Sequence, residues 1–216
     1  MDAFSTASIP LFDGISPEEA KAMLPCLEAK MERRARGERI LRSGQPTEFF
    51  GVVLSGRVRT EITDAWGNAS ILEMIQEGSL FAHSYACSRE PLDVDVVADT
   101  PCEVLMLKAE RIIHPCRRLC ACHAHLSTNL MRGLALLNME MNRRAVATAP
   151  KSIRGKLLAY LSQESKRAGS RTFAIPYSQT KLAAYLGVDR SALSSELSRL
   201  RREGIVDHEG TTYRLL

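Results

Sequence analysis

Apolar positions change their spacing twice along this chain, and each change predicts a different kind of element. Between residues 38 and 107, short apolar runs at 38–41, 49–54, 57–62 and 70–75 are separated by Gly37, Gly44, Gly56, Gly67 and Gly78. Residues 57–62 alternate polar and apolar side chains, as a strand with one buried face does. The stretches 94–97 and 103–107 continue the pattern, in which Cys102, Val104 and Met106 fall on one face as core positions. Regular short strands with glycine turns predict an antiparallel barrel or jelly roll. Ahead of it, Ser16-Pro17-Glu18-Glu19 has the form of a helix start, with Ser16 as cap and Glu19 at the capping-box position. From about residue 115 the period lengthens. Leu126, Leu130, Leu134, Leu137 and Met141 recur at intervals of four, four, three and four, close to a coiled-coil seam. This predicts a long helix over 115–147, with Gly133 leaving room for a close backbone approach. Its simplest use is to pair with its twin in a second copy of the chain; packing on its own roll is the alternative.

After Pro150 the helical period resumes over 151–168, ends at Gly169, and leads through a strand-like 173–176 into two short helices. In the first, Leu182, Tyr185 and Leu186 share a face. Gly187 stands where the chain must turn, Asp189 is placed to cap the second helix, and Leu193, Leu197 and Leu200 anchor it. The opposite face carries Arg190, Ser191, Ser194, Ser195 and Arg199, groups suited to groove edges and phosphates. Ser178, Gln179 and Thr180 at the start of the first helix complete the expected DNA-facing set. Two β-prone runs, 204–207 and 213–216, flank a turn and predict a wing beside the helices. The segment reads as a winged helix-turn-helix.

Charge sharpens that reading. Residues 149–216 hold twelve Lys and Arg against six Asp and Glu, whereas the rest of the chain is slightly acidic. A positive surface confined to the helical pair favours a nucleic acid backbone. The 216 residues, 45% of them apolar, suffice for a sensing domain at 1–114, a dimerisation helix at 115–148 and the reader at 149–216. No run approaches a membrane span, and the N-terminus lacks a basic and apolar leader. A cytoplasmic protein is therefore expected, its six cysteines reduced. No catalytic spacing stands out, so an enzyme is not expected.

This order of parts is similar to that of the CRP/FNR superfamily of bacterial transcription regulators, carried by Leu-Ala-Ala-Tyr-Leu-Gly-Val-Asp-Arg-Ser-Ala-Leu-Ser at 182–194, Glu-Leu-Ser-Arg-Leu at 196–200 and Leu-Ser-Gly-Arg-Val at 54–58. The resemblance covers essentially the whole chain. It implies an α+β architecture, a cyclic-nucleotide-binding-like roll joined to the reader, and Arg190, Ser191, Ser194 and Ser195 facing the major groove. Many members have Glu and Arg at the positions of Ser191 and Ser195, which read C and G; Ser at both predicts a different operator. The partners implied are palindromic double-stranded DNA, a second copy of the chain and RNA polymerase.

Cyclic-nucleotide members carry Gly-Glu and Arg-Ser/Thr pairs in the roll. Here those slots hold Ala82-His83 and Leu92-Asp93, an acid where a phosphate would lie, while Arg89 stands three residues early in a strand. cAMP and cGMP are therefore not expected as effectors. With Cys26 alone in the N-terminal region, an iron–sulfur cluster of the four-cysteine type is not expected either. Phe81, His83, Tyr85, Cys87 and Arg89 are the residues of the stretch after Gly78 from which an effector pocket would be built. Haem is not expected there, because His83 and Cys87 are shifted in register from the ligands of the haem-binding branch; His83 reads as a satisfied side chain. Asp93 and Asp95 read as a solvated strand face. Cys116, Cys120 and His123, spaced four and three, fall on one helical face and could hold a thiophilic metal or act as a redox-sensitive thiol group; packing is the alternative. Cys122 with His125 is a weaker pair. The function this implies is a DNA-binding regulator controlled by an effector other than cAMP, be it a small ligand, a metal or a redox signal. A ligand-binding or redox module whose helical pair contacts protein is the alternative.

Overall fold

The computed structural model describes residues 9–64, 66, 69–114 and 121–216. The chain forms two compact units, 1–134 and 135–216. In the first, a 3-10 turn at Pro10–Phe12 precedes α1 (Pro17–Met23). The Ser16 hydroxyl accepts from the Glu19 amide at 3.3 Å and the Glu19 carboxylate accepts from the Ser16 amide at 2.9 Å, closing the capping box.

Eight strands follow: β1 (Lys30–Arg34), β2 (Arg39–Leu41), β3 (Phe49–Ser55), β4 (Val58–Thr63), β5 (Ala69–Ile75), β6 (Leu80–Phe81), β7 (Asp95–Ala98) and β8 (Cys102–Lys108). They form two four-stranded sheets, ordered β1-β8-β3-β6 and β2-β7-β4-β5, with antiparallel neighbours throughout. One core gathers Val53, Val104 and Met106 from the first sheet with Val58, Ile75, Val96 and Ala98 from the second. The other face of the first sheet gives Phe50, Val52, Leu54, Leu105 and Leu107 to a second core, shared with α1 and with the start of a long helix. Burial on both faces explains why β3 and β8 are nearly unbroken apolar runs. On the second sheet Arg39 pairs with the buried Asp95 and Arg59 with Glu61 and Asp99, while Ile62 on β4 and Ile71, Leu72 and Met74 on β5 are exposed.

Among the elements that the sequence reading did not anticipate are β1, β6 and the helix α2 (His83–Ser88). A short α3 (Ala109–Ile113) follows β8. The long helix α4 spans Ala121–Thr148; the expected beginning at 115–120 lies outside the described residues.

The second unit holds α5 (Ile153–Ala168), β9 (Thr172–Ala174), α6 (Gln179–Leu186), α7 (Arg190–Arg202), β10 (Val206–Glu209) and β11 (Thr212–Leu215). The last two form a hairpin that β9 extends to a three-stranded sheet. Its core runs from Ala147 through Leu157, Leu161, Leu182, Leu186, Leu193, Leu197 and Leu200 to Tyr213. Ser152 caps α5 by accepting from the Gly155 amide, and Gly169 ends it at φ +61°.

Candidate nucleic-acid interface

The pair α6–α7 is assembled by caps at both ends of its turn. Ser178 accepts from the Lys181 amide at the start of α6. Gly187 ends that helix at φ +62°, a left-handed conformation that favours a residue without a Cβ. Asp189 then accepts from the Ser191 and Ala192 amides at 2.8 and 3.0 Å. The Ser191 hydroxyl and these amide bonds hold the Asp189 carboxyl below its ordinary range, so it is ionised at neutral pH. Leu193, Leu197 and Leu200 are buried. Arg190, Ser191, Ser194, Ser195 and Arg199 are all exposed, on a helix whose apolar side is sealed. Gln179 is half-buried, while Ser178 and Thr180 line the start of α6, the former already used as a cap. Arg199 is tied to Glu203 at 3.0 Å, whereas the Arg190 guanidinium has no partner among the described residues.

Contacts far apart in sequence hold this pair in place, and no local pattern announces them. Arg154 on α5 bonds Glu203 at 2.6 Å and Glu196 at 3.5 Å, the first just past the end of α7 and the second within it. Lys156 Nζ donates to the Leu186 carbonyl at 3.2 Å. From α4, Glu140 accepts from the Tyr185 hydroxyl at 3.1 Å, and the Arg144 guanidinium lies over the Tyr185 ring while donating to its carbonyl. Tyr185 also stacks on Tyr177, with centroids 5.1 Å apart. Burial and the nearby Glu140 push the Tyr185 phenol up to about 12.

In the roll, the residues expected around an effector scatter. Phe81 is core, its ring filling the space that a side chain at Gly51 would need. His83 opens α2, and burial lowers its basicity; contrary to the expectation of a satisfied side chain, its Nδ1 is buried without a hydrogen-bond partner among the described residues. The Tyr85 hydroxyl donates to Asp93 at 3.4 Å. Arg89 is not in a strand. It follows α2 at φ +62° and bonds Glu110 at 2.8 Å. Cys87 and Arg89 line a separate cleft of about 320 Å³ with Glu48, Glu110 and His114. Burial raises the Cys87 thiol, away from the reactive thiolate. Asp95 corrects the solvated reading: it is buried, accepts from the Ser43 amide at 2.8 Å and pairs with Arg39 at 3.2 Å. Asp93 is exposed and Leu92 belongs to the roll core.

Residues 31–118 match the cyclic nucleotide-binding domain, and residues 155–216 match the Crp-like helix-turn-helix domain. The chain belongs to the CRP/FNR family of transcription regulators. This CRP/FNR regulator is 27% identical over 197 residues to the cyclic AMP receptor protein of Thermus thermophilus, covering 91% of this chain and 88% of that protein. It is 20% identical over 186 residues to electron transport regulator A of Shewanella oneidensis, covering 81% and 70% of the two chains. The solved structure of CprK complexed with OCPA shares the fold at a TM-score of 0.60 and 14% identity, covering 90% of this chain and 88% of the other.

The regulator's long helix divides where a uniform seam was expected. Leu126 and Leu130 are buried in the roll's own core and Leu134 packs against it, so this part of the stripe serves the chain itself. Leu137 and Met141 are exposed, with Leu136 and Met139. Among the described residues, no atom outside the helix's own turn lies within 4 Å of the place where Gly133 would carry a Cβ. Of the soft-ligand set, Cys116 and Cys120 lie outside the described residues, and His123 is buried. Among the described residues no group of three or more His, Cys, Asp or Glu is placed to hold a metal ion. Cys122 hydrogen-bonds Glu19, on which the charge of His125 also acts, and His125 Nδ1 lies 3.3 Å from the Gly14 carbonyl. No described helix is long and apolar enough to cross a membrane.

Proposed function

We propose that this regulator binds an operator in double-stranded DNA as a homodimer and answers to an effector other than cAMP or cGMP. Residues 1–114 sense, 115–148 pair the two copies, and 149–216 read the DNA. The observation that carries the reading is α7: a helix capped and buried on one side, with hydroxyls and an unpartnered guanidinium exposed on the other, among the described residues. The exposed Leu136, Leu137, Met139 and Met141 support pairing through α4. Two copies would place their readers in half-sites about one helical turn apart. RNA polymerase is the protein partner that membership in a family of transcription regulators supports.

The exclusion of cyclic nucleotides rests on charge. A cyclic phosphate would meet Leu92 and Asp93, and the nearby Arg89 is already bonded to Glu110. The effector is instead a small ligand, a metal or an oxidant acting on the roll and the start of α4. A salt titration of DNA affinity tests the first half of the proposal. The affinity falls steeply with salt as counterions are released; absence of binding to any duplex at low salt overturns it. Calorimetry with cAMP and cGMP tests the second half. No heat and no change in DNA affinity are expected, and saturable binding overturns it.

A further inference from the structure

One guanidinium serves two carboxylates in the reader. Arg154 lies on α5; its Nη2 donates to Glu203 Oε2 at 2.6 Å and its Nη1 to Glu196 Oε1 at 3.5 Å. The other oxygen of Glu203, Oε1, accepts from Arg199 Nε at 3.0 Å. Glu203 therefore stands between two cations, one on each oxygen. The two cations differ in access. The Arg199 side chain is 61% exposed, whereas those of Arg154 and Glu196 are 33% and 16% exposed. Arg154 and then Arg199 hold the Glu203 carboxyl below its ordinary range, so it is ionised at neutral pH.

A carboxylate beside a DNA-facing helix opposes binding, because the duplex carries a negative charge at every phosphate. Readers of this shape place the first residues of the second helix against base edges. Arg199 follows Arg190, the first residue of α7, by nine positions, a rise of about 13 Å. The major groove is about 8.5 Å deep. With the start of α7 in the groove, Arg199 stands at the level of the backbone. Its guanidinium there has two partners to choose from, Glu203 and a phosphate. Moving from one to the other leaves Glu203 bonded to Arg154, so no carboxylate is stranded beside the phosphates. Arg201 offers a contrast. It pairs with Asp207 at 2.8 Å, and no second Lys or Arg pairs with Asp207 among the described residues, so drawing Arg201 away would leave that acid alone.

Resting on the DNA-reader reading above, we infer that Arg154 is a positioning residue for recognition of the DNA backbone. From α5 it retains Glu203 and Glu196, and so releases Arg199 to exchange Glu203 for a phosphate. Without Arg154, the two carboxylates keep Arg199 to themselves and repel the strand.

DNA binding by the full-length protein across a salt series, on a duplex selected from a randomised library, tests this. Arg154→Gln is expected to weaken binding about tenfold at low salt, and to make the dependence of log K on log salt shallower by about two for a homodimer, one phosphate per subunit. Arg199→Ala gives the same shallower dependence, and adding Arg154→Gln to it brings no further change. Arg154→Gln combined with Glu203→Gln restores the wild-type dependence, and Arg154→Lys, which keeps the charge, retains it. Exposed ion pairs add little to stability, so the melting temperatures of these variants stay close to that of the wild type. A wild-type salt dependence in Arg154→Gln or in Arg199→Ala overturns the proposal and leaves the DNA-reader reading intact. So does a loss of affinity that tracks a lowered melting temperature and is not rescued by Glu203→Gln. Failure of the wild-type protein to bind any duplex at low salt overturns that reading, and the proposal falls with it.

Discussion

The roll and the reader are built by opposite means. In the reader, each helix is bounded by a cap close in sequence: Ser152 for α5, Ser178 for α6, Asp189 for α7, and Gly169 and Gly187 at two ends. In the roll, the decisive contacts join residues far apart in sequence. β3 pairs with β8, Gly51 lies opposite Phe81, and Leu126 from α4 joins the core that holds Phe50 and Leu105. Local bonds leave an imprint on neighbouring residue types. Long-range packing requires only that a residue be apolar and of suitable size. The difference teaches why a helix-turn-helix can be read directly from its residues, while the packing of the roll cannot.

The largest expected effect probes the claim that α4 serves the roll before it serves any partner. Leu126→Ala empties a fully buried site and costs about 2–5 kcal/mol. Chemical denaturation monitored at several protein concentrations checks it. A loss of this size with an unchanged oligomeric state separates Leu126 from Leu137 and Met141, whose replacement by Asp is expected to dissociate the proposed dimer without emptying a core. Next comes the close approach between β3 and β6. A Cβ at Gly51 would lie 1.8 Å from Phe81 Cζ, so Gly51→Ala costs about 1–3 kcal/mol by overpacking. Pairing it with Phe81→Leu recovers part of that loss in a double-mutant cycle; additive losses would place the strain elsewhere.

A smaller effect tests the reader's long-range support. Tyr185→Phe removes the bond to Glu140 and costs about 1 kcal/mol. The phenol itself supplies a pH signature. Its folded value, about 12, lies above the ordinary value near 10, so its contribution is complete below pH ~10 and is lost as pH rises toward about 12. Ultraviolet titration of the phenolate checks this, with Tyr185→Phe removing one late-titrating group. The smallest effect is at the cap. Asp189 is held below its ordinary carboxylate value, so its contribution is present above pH ~4 and is lost as pH falls through its lower folded value. Asp189→Asn, which can still cap, is expected to flatten that acid limb in a series of melting curves, and Asp189→Ala to lower the melting temperature at neutral pH.

The sequence by itself determined the helical pair, its turn at Gly187, its cap at Asp189, the capping box of α1 and the run of glycine-separated strands. These depend on bonds between residues a few positions apart, and such bonds demand particular residue types. Only the tertiary structure decided that Leu126 and Leu130 belong to the roll's own core, that Asp95 is buried against Arg39, and that Arg89 is spent on Glu110. It likewise showed that the Ser191 and Ser195 protons are given to the helix and its cap. A heptad-like stripe looks alike whether it meets its own roll or a twin helix. An exposed charge or hydroxyl looks alike in sequence whether it is free or engaged, because the engagement depends on which distant atoms the fold brings within about 3 Å.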